Sequence, residues 1–241
     1  SSASVAVSTY VINTACAEAL EFIADRLEKF SDINEGVVDL IAYTMNNHGR
    51  IIFNGNNYSK DWQEEATRRG LSIMRSTVDA AEALNVEKNI ELFEKYHILN
   101  RTECHSRYEI CLENYIKTIH IEADTMIQMA SRQILPAAIK YAGMVADSVN
   151  SLSKAKIKCA SAKKKAIKLA ECIDNISDCL DNLNAKLSAL STEFSREKAE
   201  WCCNEIIPSM DKLREACDEI EPMIDNNLWP MPNYTEILHR I

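Results

Sequence analysis

Glycine and proline are scarce, with five of each in 241 residues. Strand-rich and doubly wound folds turn the chain tightly and often, and their turns need residues that tolerate positive φ or fix a bend. Long helices need few such residues. No apolar run approaches the ~20 residues of a membrane-spanning helix, so no membrane partner is expected. No basic segment precedes an apolar core at the N-terminus, so nothing there reads as a signal peptide. The first residue is not Met, and the chain is expected to be a processed product or an excised piece. Basic residues are outnumbered, 27 against 36 acidic, and the net charge of −9 disfavours nucleic acid and anionic surfaces as partners. Also missing are a Gly-rich phosphate loop, a serine nucleophile elbow and a His-x-x-x-His pair.

What the chain does have is helical periodicity. Ala162, Ala166, Leu169, Ile173, Ile176, Leu180, Leu183, Leu187 and Leu190 alternate spacings of four and three, a heptad seam on one helix face. A matching stripe runs from Ile116 through Ile119, Ala123, Met126, Ala130, Ile134, Ala138, Tyr141, Val145 and Val149 to Leu152. A short lysine-rich turn, Ser151 to about Lys158, joins the two. Two such stripes must bury against each other or a third helix. The third is expected at Glu197–Ile220, with Trp201, Ile206, Met210 and Leu213 inward. The fold class is therefore all-α: a long antiparallel helical hairpin, completed to a three-helix bundle, with additional shorter helices.

Ahead of the bundle, residues 9–30 and about 35–47 read as amphipathic helices. The first has the stripe Val11, Ala15, Ala19, Phe22, Ile23, Leu27 and Phe30. Between residues 49 and 59 the chain reads as a loop, turning at Asn54-Gly55-Asn56-Asn57. Ser59 is placed to cap the next helix, and Gly70 to end it. Asn85 is a candidate cap for a later helix, and Asn100 or Thr102 for the long one. Pro136 and Pro208 predict kinks, because the apolar pattern continues past each. The expected organisation is a helical segment over 1–105, the long-helix bundle over 106–221, and an extended arm over 222–241.

The chemistry-bearing residues do not assemble into a familiar site. Cys104, His105, Cys111 and His120 lack zinc-ligand spacing. His120 and Glu122 point to different helix faces, while Glu109, Glu113 and Lys117 have ion-pair spacing. The vicinal Cys202 and Cys203 read as packing thiols. Lys154, Lys156, Lys158, Lys163, Lys164, Lys165 and Lys168 read as a solvated tip. Nine cysteines, an odd number without a Cys-x-x-Cys pair, predict free thiols and a reducing cytoplasm. In the arm, Trp229, Pro230, Pro232 and Tyr234 form an apolar cluster on an extended segment, suited to docking through an aromatic anchor.

Several blocks resemble one family. VINTACAEALEFIADRLEK (11–29), RIIFNGNNYSKDW (50–62) with EEATRRGL, EKNIELFEKY (87–96), the long block at 106–141, IIPSMDKLREACDEIE (206–221) and WPMPNYTEIL (229–238) are similar, in order, to the C-terminal region of the type III glutamine synthetases. The resemblance implies a parent reaction that makes glutamine from glutamate, ammonia and ATP through a γ-glutamyl phosphate, with a divalent metal such as Mg. It also implies that the metal-binding carboxylates and phosphate-binding arginines lie in a preceding region. No catalytic, cofactor-binding or metal residue is carried over, and this chain is expected to be inactive alone. Near the start it departs from the family, with Val7-Ser8 where Gly-Pro is usual. The implied partners are the parent's catalytic domain and neighbouring subunits, in a homo-oligomer. The competing expectation is a free-standing helical scaffold or adaptor derived from the family.

Overall fold

The computed structural model describes residues 4–190, 195–232 and 234–239, with only the backbone at Tyr234 and Thr235. All regular structure among them is helical. The chain gathers into two compact units, Ser1–Cys111 and Leu112–Ile241.

In the first unit, α1 (Ala6–Leu27) and α2 (Ile33–His48) are followed by α3 (Lys60–Arg68), α4 (Thr77–Glu82) and α5 (Glu87–Lys95). Serines cap two of these as a polar residue before a helix should. Ser59 accepts from the Trp62 amide and Ser76 from the Asp79 amide. Asn85 does not act as a cap. Val86 holds the N-cap position of α5, and the Asn85 carbonyl oxygen is buried without a hydrogen bond. One core cluster is Ile90, Phe93, Leu99 and Cys104, with Tyr10 and Leu84 against it, and Ala66, Val78 and Ala81 are buried as well. Tyr10 meets Phe93 edge-on at 5.8 Å. Helix α1 is tied to α5 by Lys95, which pairs with Glu18 at 2.6 Å and Glu21 at 2.7 Å. Helices α1 and α2 meet where Arg26 pairs with Asp39 and lies over the Tyr43 ring.

Helix α6 (Arg101–Met129) begins with a reciprocal cap. The Asn100 side chain accepts from the Glu103 amide, and the Glu103 carboxylate accepts from the Asn100 amide.

The second unit carries α7 (Leu135–Lys154), α8 (Ala160–Ser188), α9 (Arg196–Trp201), α10 (Ile207–Ile220) and α11 (Tyr234–His239). The seam of α8 is its core. Leu169, Cys172, Ile176, Leu180, Leu183 and Leu187 are buried, with Cys172 taking the innermost place beside a half-buried Ile173. A buried thiol behaves there as a small hydrophobe. Helix α8 packs along α7 and α10. Its antiparallel register on α10 is marked by Lys168–Glu219 at 2.6 Å, Asn182–Ser209 at 3.3 Å and Lys186–Glu205 at 2.8 Å. Of the residues expected inward on the third helix, Ile206 and Leu213 are fully buried and Met210 half-buried. Trp201 is 39% exposed and donates to the Lys186 carbonyl at 3.4 Å.

The expected proline kinks take a specific form. A π-helical turn, Ala130–Ile134, precedes Pro136, and another, Cys202–Ile206, precedes Pro208. Proline lacks an N–H and its ring crowds the carbonyl one turn back. One extra residue in that turn makes room, so the helix is widened rather than broken.

Three helices end in one way. The residue after the cap takes positive φ, and two backbone bonds close the end. Gly70 (φ 67°) does this after α3, His97 (φ 54°) after α5 and Lys156 (φ 60°) after α7. The Leu71, Ile98 and Ile157 amides reach back to the Ala66, Phe93 and Leu152 carbonyls, each at 2.9 Å. Only one of the three uses the residue that has no steric penalty there.

Candidate docking surfaces

The first candidate is the face of α1 and α2. Together they hold 38 residues, 22 and 16, yet only Thr14 and Gly36 are buried. The expected stripe of α1 is present but only partly covered: Val11, Ala15, Ala19 and Phe22 are exposed, and Ile23, Leu27 and Phe30 half-buried. On α2, Val38 is 68% exposed and Ile41 58%, beside exposed Val37 and Met45. Scattered exposed apolar residues are normal, but two neighbouring helices that bury almost nothing are not. Gly36 is the close approach between them. A Cβ there would meet Leu27 and Phe30 at 3.2 Å.

The second candidate is the arm. After a short 3₁₀ turn at Glu221–Met223, the chain turns at Asp225–Leu228, and residues 229–232 lie outside any helix. Of the cluster read from the sequence, Trp229 is half-buried and Pro230 and Pro232 are exposed, while the Tyr234 side chain lies outside the described residues. Trp229 and Pro232 line an open groove of about 830 Å³ in their own unit. Its floor includes Met126, Met129, Met210 and Leu213. The Trp229 indole N–H is buried without a hydrogen-bond partner. The groove is lined by residues of α6, α10 and the arm. It was not legible in sequence, since its residues belong to stripes already assigned to the core.

The titratable candidates do not converge. No group of three or more His, Cys, Asp or Glu side chains able to hold a metal occurs among the described residues. Cys104 is fully buried in the core of the first unit, where burial raises its thiol pKa. Glu113 pairs with Lys117 at 2.5 Å, one turn apart as their spacing predicted. All nine cysteines are free. Burial pushes the Cys202 thiol up to about 11, so Cys202 has a packing role at neutral pH. Cys159 is the opposite case. It stands at the N-cap of α8, where a hydrogen bond with Ser161 lowers its thiol pKa. Two of the lysines read as a solvated tip are engaged: Lys165 donates to the Tyr141 hydroxyl at 2.8 Å, and Lys168 pairs with Glu219. No helix among the described residues is long and apolar enough to cross a membrane.

Comparison with known proteins bears on what these surfaces face. The glutamine synthetase C-terminal domain family matches residues 36–153. The chain is 34% identical over 238 residues to the type-3 glutamine synthetase of Dictyostelium discoideum, covering 95% of this chain and 32% of that protein. It is 31% identical over 216 residues to a glutamine synthetase of Butyrivibrio fibrisolvens, covering 86% of this chain and 30% of the relative. A glutamine synthetase of Bacteroides fragilis is 26% identical over 249 residues, covering 99% of this chain and 34% of the relative. The chain thus spans about a third of the length of the curated relatives it matches.

Proposed function

Because the chain belongs to the family of glutamine synthetase C-terminal domains, we propose that it is a helical docking and assembly module. In this reading it is held against the catalytic portion of a type III glutamine synthetase and against neighbouring subunits of a homo-oligomer. The observation that carries the reading is the uncovered face of α1 and α2. Apolar surface gains ~25 cal/mol per Å² when removed from water, so a face with Val38, Ile41 and Phe22 outward favours a permanent neighbour. An obligate interface has that character, a domain core divided between two partners.

The parent reaction is the ATP-dependent joining of ammonia to glutamate, with a divalent cation such as Mg. This chain brings no motif for the nucleotide or the metal, so its part is structural. The arm residues Trp229, Pro230, Pro232 and Tyr234 belong to the same role, as the share of the surface nearest the C-terminus. Free thiols and an acidic surface suit a reducing cytoplasm.

The test is co-elution. The chain is mixed with the separately produced first two-thirds of the Dictyostelium relative and passed through a sizing column. One shared peak is the expected result. Val38→Asp with Ile41→Asp should split it into two, because buried unpaired carboxylates are costly. Two peaks from the unaltered chain would leave a free-standing scaffold as the better reading.

A further inference from the structure

The loop between α2 and α3 is held far more firmly than a loop at the surface needs to be. The Arg69 guanidinium donates to the Ile52 carbonyl at 2.7 Å and to the Arg50 carbonyl at 3.1 Å. Glu65 orients that guanidinium, accepting from Arg69 at 2.5 Å and from Arg68 at 2.6 Å. These two bonds hold the Glu65 carboxyl down to about 2, so the clamp is complete at neutral pH. The Phe53 ring lies on Trp62 with centroids 4.6 Å apart. It also covers Gly55 so closely that a Cβ there would stand 2.7 Å from the ring. At the tip, the Asn56 side chain accepts from the Tyr58 amide at 3.0 Å, and the Ser59 hydroxyl donates to the Asn56 carbonyl at 2.7 Å.

All this order presents one side chain. Tyr58 is 96% exposed, with exposed Ile51 and Ile52 at the base of the same loop. An exposed aromatic on a mobile loop loses much of its binding energy to ordering, whereas a pre-ordered one does not. Tyrosine also supplies large contact area and a polar tip, which is why it recurs among the anchors of interfaces. The stretch that carries the loop and α3 differs in charge from the chain as a whole. Residues 50–75 hold five basic residues (Arg50, Lys60, Arg68, Arg69, Arg75) against three acidic (Asp61, Glu64, Glu65), within a chain of net charge −9.

We propose that Tyr58 is the anchor of a second docking element, entering an apolar recess with carboxylates at its rim on the catalytic portion of the parent enzyme. This rests on the docking function proposed above and adds to it a named anchor and the chemistry of its seat. The occupant follows from extent. The relatives carry about two-thirds of their length beyond the part this chain matches. The loop also lies in the same compact unit as the uncovered α1–α2 face.

The experiment measures the affinity of the full chain for the separately produced first two-thirds of the Dictyostelium relative, immobilised on an optical sensor. Tyr58→Ala should weaken binding about thirtyfold, the least expected of an anchor side chain. Tyr58→Phe should keep most of the affinity, and the melting temperature of both variants should match the unaltered chain. Tyr58→Ala binding as tightly as the unaltered chain, while Ile41→Asp abolishes binding, would overturn the anchor and leave the docking function standing. An unaltered chain that does not bind at all would overturn both.

Discussion

At the residue scale, the clearest consequences come from side chains in unusual places. Lys156 ends α7 at φ 60°, a conformation that costs a non-glycine residue ~1 kcal/mol. Lys156→Gly should therefore raise stability by ~0.5–1 kcal/mol in urea unfolding, since the backbone closure is kept. The cysteines differ by setting. Cys159 should react first with iodoacetamide at pH 8, and Cys202 and Cys217 last in the folded chain, as mass spectrometry of timed quenches would show. Burial pushes both latter thiols up to about 11 from an ordinary 9. Below the unfolded value both states hold the proton and nothing is lost. Above it the unfolded chain releases protons that the fold retains, so stability should fall as pH rises from about 9 towards 11. A flat profile over that window would contradict the assigned burial.

At the element scale, the seam of α8 was legible because its period is that of a helix packed on helices. It fixed which face is buried, but not that Cys172 would sit deeper than Ile173, since both lie on that face. Leu183→Ala and Leu213→Ala, at fully buried positions, should each cost ~2–5 kcal/mol, while Lys163→Ala should stay within ~0.5 kcal/mol. Equilibrium unfolding of the three variants checks the contrast. The prolines announced bends, yet the π-turns at Ala130–Ile134 and Cys202–Ile206 were not readable. One extra residue per turn leaves the apolar spacing nearly intact. The helix ends at His97 and Lys156 carry no glycine, the residue that marks such an end in sequence. For the start of α6 the sequence offers Asn100 or Thr102; Asn100 is the cap, and Glu103 completes it reciprocally. The groove beside Trp229 was invisible because its walls come from separate helices and the arm, and their meeting depends on packing and not on any one stripe.

At the scale of the whole molecule, one unit is well filled and the other is not. The second buries a continuous seam, whereas the first has most of its buried residues over α3 to α6 and leaves the α1 and α2 faces mostly outward. The α1 stripe was legible in sequence, but how much of it is covered was not: Ile23, Leu27 and Phe30 are half-buried beside α2, while Val11, Ala19 and Phe22 stay exposed. A module of this kind should form no γ-glutamyl hydroxamate when assayed alone with glutamate, hydroxylamine, ATP and Mg. Activity from the pure chain would overturn its structural role.

The most direct test of that role is hydrogen exchange along the chain, with and without the first two-thirds of the Dictyostelium relative. If α1 and α2 dock there, amides over residues 6–48 should slow by at least about tenfold on mixing, because covering a helix suppresses its local opening. Amides over the already buried α8, residues 160–188, should hardly change. Unchanged exchange over 6–48 in the mixture would contradict the account.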